Sequence, residues 1–323
     1  MDLDVKPASE FGPDAEDGVY EGVSKDRYLN HPAVSRSILA TFAECPEKAR
    51  HEIDSDEEHD TDATDFGTLA HRRILEPEKF KDDGYVVAPA ECEGEKYKSN
   101  SSKENQPCTY SPNARYGGTW YCKTHAPDDE EPDDIQEVGK AKRNRLERMN
   151  RAVESHPRGR EHLITGPEFA ELTVLSTHEL TGIRVRSQID AVSPSPLSDE
   201  HVILADLKTA KDGDAHPERF RHSSVKYGYW LQPAFYSTLF EAETALRVIR
   251  FVTVAVEKSR PHVVQDFTLE RETFEAIEER MDTLLREMDR CRQAGKWHGY
   301  ATEPVEISFR PWEQRKLGID TLL

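Results

Sequence analysis

No stretch of this chain approaches the roughly 20 consecutive apolar residues needed to cross a bilayer, which excludes a helical membrane span. The first residues carry neither a basic n-region nor an apolar h-region, so the expectation is a cytoplasmic protein with no membrane partner. Cysteine is scarce: five in 323 residues, irregularly spaced, do not make a disulfide framework. Positive charge is also in deficit. A formal net charge of -19 repels polyanions over most of the surface and confines any nucleic-acid binding to a local basic channel.

What is present has the layout of an enzyme. A chain of this length can bury a substantial core as one large domain or as a domain with insertions. Dense acidic runs lie at 54–65 and 128–134, whereas 140–160 and 219–226 carry basic residues. Residues 1–19 are acidic, contain Gly and Pro and lack periodicity, which reads as a disordered tail. Helices are predicted over 35–50, capped by Ser35, and over 65–75, 137–154, 219–241 and 269–295. Strands are predicted over 168–177, 183–192, 202–208 and 248–256, with a possible edge strand at 262–268. That order gives an α/β sheet with helical cover and no long repeat.

Chemistry concentrates at two strand ends. The apolar run Val202-Ile203-Leu204-Ala205 ends in Asp206-Leu207-Lys208, and the period of two sends Asp206 and Lys208 to the same side. Asp190 closes the preceding strand, and the Pro/Ser segment 193–198 lets the chain reverse and bring the carboxylates together. Two carboxylates can hold a divalent cation while a lysine serves a nucleophilic water. An isolated Asp-x-Lys is more often a solvated ion pair. Gln232 and Tyr236 add to the pattern: four residues apart, they share one face if the aromatic-rich segment 227–236 is helical, and Pro233 then belongs in its first turn.

The ordered set Glu171, Asp190, Asp206-Leu207-Lys208-Thr209 and Gln232-x-x-x-Tyr236 resembles the PD-(D/E)XK nuclease superfamily, in particular its phage exonuclease VIII (RecE-like) branch. Upstream, Pro32 to Leu39 is similar to that branch's serine motif, and Phe66 to Pro77 to its histidine-bearing helix. Downstream, Trp297-His298-Gly299-Tyr300 and Arg310-Pro311-Trp312 are similar to its C-terminal segment. The resemblance implies a restriction-endonuclease-like mixed sheet flanked by helices, formed by residues 20–90 and 127–323. It implies that His71, Asp190, Asp206 and the Leu207 carbonyl bind Mg2+ or Mn2+, with Glu171 as a further metal or water ligand. Lys208 would orient the water, Gln232 and Tyr236 would line the site, and Ser35, Arg36 and Ser37 would contact DNA. On residue type alone, His71 reads as a packed core histidine, Glu171 as an exposed strand carboxylate, and the serine motif as helix capping. Two departures stand out: Gln188 occupies a position that is often basic in the family, and the loop between the aspartates reads as long.

Residues 91–126 interrupt the plan with polar, Gly/Ser/Asn-rich sequence around Cys92, Cys108, Cys122 and His125. Three thiolates and an imidazole would complete a tetrahedral Zn2+ site, and the segment resembles a small zinc-knuckle insertion. Unrelated reduced cysteines are the alternative. Cys45 and Cys291 read as ordinary thiols. The resemblance implies an exodeoxyribonuclease that digests linear double-stranded DNA 5′ to 3′ in phage-type recombination, as a homo-oligomer working with a single-strand annealing protein. The other readings are a RecB-like single-strand or flap nuclease and a catalytically silent DNA-binding or zinc-stabilised scaffold.

Overall fold

The computed structural model describes the chain apart from residues 2, 55–61, 83–88, 90, 94–107, 109, 111, 128–129, 133–139 and 320–323. In chain order, β1 (Val5–Pro7) and β2 (Gly18–Glu21) precede α1 (Lys25–Leu29), which leads through β3 (Val34–Ser35) into α2 (Arg36–Glu44) and α3 (Pro46–Asp54). Next come α4 (Asp62–Leu75), α5 (Pro77–Asp82), the hairpin β4 (Ala114–Tyr116) and β5 (Thr119–Tyr121), α6 (Lys140–Ser155) and α7 (Pro157–Arg160). The central strands β6 (Phe169–Thr177), β7 (Arg184–Ser195) and β8 (Ser198–Ala210) follow. Helices α8 (Pro217–Lys226) and α9 (Gln232–Glu243) cross to β9 (Arg247–Glu257), and β10 (Val264–Phe267), α10 (Arg271–Ala294) and α11 (Pro311–Leu317) complete the chain.

The main sheet runs β1-β2-β6-β7-β8-β9-β10, with β3 beside β7. Neighbours from β2 to β8 are antiparallel, whereas β8 and β9 are parallel. A parallel pair needs a crossover, and α8 and α9 supply it. Along β8 the pleat divides the two layers. Val202 and Leu204 pack with Leu39, Phe235 and Leu284 under α2, α9 and α10, while Ala205 and Leu207 pack with Ala70, Leu146 and Met149 under α4 and α6. Asp206 and Lys208 continue the parity of Val202 and Leu204, as the period of two requires.

The predicted mixed sheet with flanking helices is present, but several expectations change. Residues 1–19 are not a disordered tail. β1 pairs in parallel with β2, Phe11 is 1% exposed, and its ring meets Tyr20 edge-on at 5.3 Å. Acidic composition hid a few well-placed apolar residues, Val5, Phe11, Val19 and Tyr20, which suffice to dock the segment. The helix expected over 35–50 breaks before Pro46, whose ring forces Cys45 into an extended conformation (φ -160°, ψ 111°). The helix expected over 219–241 breaks at Gly228, which has φ +70° and where a Cβ would sit 2.7 Å from the Ala40 side chain. The long loop expected between the aspartates is strand: β7 ends at Ser195 and β8 begins at Ser198. Parts of the acidic runs at 54–65 and 128–134, and residues 137–139 of a predicted helix, lie outside the described residues.

Because Phe11 is a core residue, Phe11→Ala should lower unfolding stability by about 3 kcal/mol or more in a urea titration. A change within about 0.5 kcal/mol would mean that residues 1–19 contribute nothing to the fold.

Candidate metal centre

The described β7–β8 ladder runs from the hairpin end to the pair Ala191↔Ala205 and stops. In place of the next ladder bond, the Asp190 carboxylate accepts from the Leu207 N–H at 2.6 Å. The strands themselves run on, so the two carboxylates lie within β7 and β8, just past the point where their mutual ladder stops, and not at the strand ends the sequence suggested. Both are nearly removed from water, Asp190 being 6% exposed and Asp206 2%.

Glu171 arrives from β6 between the pairs Ala170↔Ala191 and Leu172↔Ile189, with a left-handed φ of 54°. That conformation is rare for a residue with a side chain. His71, on α4, closes the group. Its Nδ1 lies 3.4 Å from Asp190 Oδ2 and 3.7 Å from Glu171 Oε1. Donor atoms of His71, Glu171 and Asp190 all fall within 4.8 Å of one another, close enough to share one cation.

Asp206 sits beside this group on the other arm. Lys208 Nζ lies 2.8 Å from Oδ1 and 2.6 Å from Oδ2, and Gln232 Nε2 donates to Oδ1. The contact with Oδ2 is an ion pair without a directed hydrogen bond, so this buried oxygen is short of donors. Burial pushes both aspartates above the ordinary carboxylate range; the negative charge of Glu171 adds to the shift at Asp190, and that of Asp190 adds to it at Asp206. Burial by itself would lower His71, but the charges of Asp190 and Glu171 outweigh it and raise the imidazole. Hard oxygens, one imidazole and an under-satisfied buried carboxylate suit a divalent cation such as Mg2+ or Mn2+.

The remaining candidates fall around this centre. Gln232 opens α9 and Pro233 occupies its first turn. Tyr236 is buried against Phe251, edge-on at 6.1 Å, and burial holds its hydroxyl well above the usual range. Leu207 is fully buried, with its amide on Asp190. Ser35 caps α2, accepting from Ile38 N–H at 3.3 Å, and its hydroxyl is 2.8 Å from that of Ser37. Arg36 donates to the Tyr227 carbonyl at 3.1 Å and lies 5.8 Å over the Tyr229 ring. Lys208 Nζ is 5.0 Å from the centre of that same ring, so Tyr229 joins the serine motif to the lysine.

Tyr229 was not singled out in the sequence, although it lies in the aromatic segment that drew attention to Gln232. Lys25 was missed for lack of any signal: from α1 its Nζ reaches Gln188 Oε1 at 3.4 Å and brings a cation beside the position where the strand has none. Arg186 and Arg184 are structural. Arg186 is buried over Tyr28 and donates to the carbonyls of Leu29, His31 and Ala33; Arg184 donates to those of Pro13 and Ala15. A third group of cations flanks the end of β8. Arg145 and Lys258 lie 5.4 and 5.7 Å from the Phe66 ring, and a Cβ at the adjacent Gly67 would be 3.8 Å from the Thr209 hydroxyl. Burial and then the positive charges of Lys211 and Arg145 lower the Lys258 ammonium.

A mixed sheet carrying an aspartate pair, a lysine two residues after the second aspartate and a glutamine on the following helix defines a PD-(D/E)XK type of site. The comparisons agree. The chain belongs to the family described as "PDDEXK-like domain of unknown function (DUF3799)", whose profile matches residues 35–307. A crystal structure from Eubacterium rectale, described as a "putative exonuclease", superimposes with a TM-score of 0.52 at 10% identity, covering 90% of this chain and 97% of its own. A structure of SSO0001 overlaps 36% of this chain and 50% of its own at 17% identity, with a TM-score of 0.23, and carries no weight. No curated protein matches the sequence. Family and site together support a nuclease.

If Glu171 holds its left-handed backbone in order to reach the metal, Glu171→Gly and Glu171→Ala should both weaken Mn2+ binding in calorimetry. Only the glycine variant sheds the backbone strain, so it should be about 1 kcal/mol more stable than the alanine variant. Wild-type Mn2+ affinity in both variants would remove Glu171 from the ligand set.

Proposed function

We propose that this chain is a metal-dependent exodeoxyribonuclease acting on linear double-stranded DNA. The observation that carries the reading is the Lys208–Asp206–Gln232 array beside the His71, Glu171 and Asp190 group, at the end of one hairpin. Mg2+ or Mn2+ held by His71, Asp190 and Asp206, with Glu171 and the Leu207 carbonyl as further ligands, would supply charge stabilisation at the phosphodiester and a more acidic bound water. Lys208, anchored by Asp206 and faced by the Tyr229 ring, holds its ammonium where it can orient that water and meet charge developing in the transition state. Gln232 fixes the Asp206 carboxylate. Ser35, Arg36 and Ser37, at the start of α2, are the proposed contacts to the DNA end, and Lys25 stands in for the basic residue missing at 188.

The exonuclease reading draws support from the description of the Eubacterium rectale structure and from resemblance to the exonuclease VIII branch. Polarity 5′ to 3′, a homo-oligomeric state, an annealing-protein partner and a role in phage-type recombination rest on that resemblance alone. Among the described residues no helix is long and apolar enough to cross a membrane. A cytoplasmic location is part of the proposal.

Incubation of the protein with Mg2+ and end-labelled DNA should degrade linear duplexes and spare covalently closed circles. Lys208→Ala should lower the rate by at least about 100-fold while Mn2+ affinity stays near wild type. Efficient cutting of closed circles would sink the exonuclease reading. Equal cutting of flaps and duplex ends would favour a RecB-like enzyme, and a Lys208→Ala protein as active as wild type would show the site to be misplaced.

The cations at 145, 211 and 258 offer a path for the phosphate backbone in an otherwise acidic protein. Replacing Lys211 and Lys258 together by Glu should weaken DNA binding and make the salt dependence shallower by about 1 to 2 in log–log slope. An unchanged slope would place the DNA elsewhere.

A further inference from the structure

We propose that Cys92, Cys108, Cys122 and His125 form a structural zinc site, separate from the nuclease centre, whose metal is the core of the insertion between α5 and α6. The four ligand atoms all lie within 4.8 Å of one another. A zinc ion with Zn–S distances of about 2.3 Å and a Zn–N distance of about 2.0–2.1 Å, in tetrahedral geometry, requires S···S edges of about 3.8 Å and S···N edges of about 3.5 Å. The edges found are 3.9 Å for Cys108 Sγ to Cys122 Sγ, 3.6 Å for Cys92 Sγ to His125 Nδ1 and 3.4 Å for Cys122 Sγ to His125 Nδ1. They enclose one ion and leave no room for a cluster of two metals. None of the three cysteines forms a disulfide among the described residues, and 3.9 Å is far from the roughly 2.05 Å of such a bond.

The backbone is shaped around the sulfurs. The hairpin of β4 and β5 turns through Gly117 and Gly118, both with positive φ, and delivers Cys122 directly after its second strand. A tight turn then brings back His125, whose N–H donates to the Cys122 carbonyl at 3.0 Å. The Cys122 N–H donates to Cys92 Sγ at 3.2 Å. Cys92 is tied across the segment by its N–H to the Tyr110 carbonyl at 2.9 Å, and Glu93 by its N–H to the Trp120 carbonyl at 2.8 Å. Among the described residues, the buried cluster of this insertion is the three cysteines with Tyr121 packed against them, and it includes no aliphatic side chain. Small units in general need a metal or a disulfide to supplement a limited core, and a sulfur-lined cluster offers the metal its ligands.

The test uses the full chain, without an affinity tag, purified under reducing conditions in the absence of chelator. Elemental analysis should find about one zinc per chain in the wild type and in His71→Ala, and less than about a fifth of that in Cys108→Ser. Cobalt(II) added to zinc-depleted wild type should give the visible bands of a tetrahedral thiolate site, which keeps the proposal testable if the Cys108→Ser protein fails to fold. Trypsin should cut between residues 92 and 125 much faster in Cys108→Ser. A wild type that carries no zinc and gives no tetrahedral cobalt spectrum would overturn the proposal. So would full zinc occupancy in Cys108→Ser, or a mass showing a Cys108–Cys122 disulfide.

Discussion

The site depends on one electrostatic constraint: Asp190 stands between two other carboxylates, Glu171 and Asp206, and both aspartates are nearly removed from water. Two like unit charges 4 Å apart repel by about 4 kcal/mol at an effective dielectric constant of 20. Lys208 offsets part of this at Asp206, and His71 faces Asp190 and Glu171. One ammonium and one titratable imidazole do not neutralise three carboxylates. The protein alone answers the surplus by raising the affinity of both aspartates for protons, and a divalent cation would answer it better, because it would also satisfy oxygens that the protein leaves short of donors.

Holding that unfavourable grouping requires rigid supports, and the fold puts one behind each member. β8 is clamped by β7 on one side and by a long parallel ladder to β9 on the other, which fixes Asp206 and Lys208. Asp190 spends one oxygen on the Leu207 amide. Glu171 is held in an uncommon backbone state by regular pairing on both sides of it. His71 rides on α4, which packs through Ala70 and Ile74 onto α6 and is tied there by Arg73, whose Nε and Nη2 donate to the two Glu147 oxygens at 2.9 and 2.8 Å. Strain and buried charge persist only where the surroundings over-determine them.

Much of this was legible because it follows from short-range pattern. The period of two placed Asp206 and Lys208 on one face, and the apolar run before them marked a buried strand. The i, i+4 spacing put Gln232 and Tyr236 on one helix face, and Pro233 pointed to a first turn there but left the start open, so the break between α8 and α9 was not read. Features that depend on distant partners were not legible. The docking of Phe11 on Tyr20 and His31 is invisible to composition averaged over 19 residues. The structural role of Arg186 depends on the carbonyls of Leu29, His31 and Ala33, which arrive from another part of the chain to occupy it. Lys25 carries no motif and matters only because α1 lays it beside Gln188. The left-handed backbone of Glu171 is imposed by its neighbours in the sheet, since glutamate has no preference for it.

A net charge of -19 does not forbid a polyanionic substrate, because solution shortens the range over which that charge acts. At physiological ionic strength the screening length is about 8 Å, so the phosphates nearest the site respond to charges within that reach far more than to the total. Lys208 stands beside Asp206, and Arg145, Lys211 and Lys258 flank the end of β8, where burial and then the positive charges of Lys211 and Arg145 lower the Lys258 ammonium. Like-charged groups held together against their own repulsion favour an anion between them, for the same reason that clustered carboxylates favour a metal. In the proposed function the two groupings would be complementary: one would attract the phosphodiester, the other the cation that acts on it, and the acidic exterior would raise the cost of binding anywhere else on the surface.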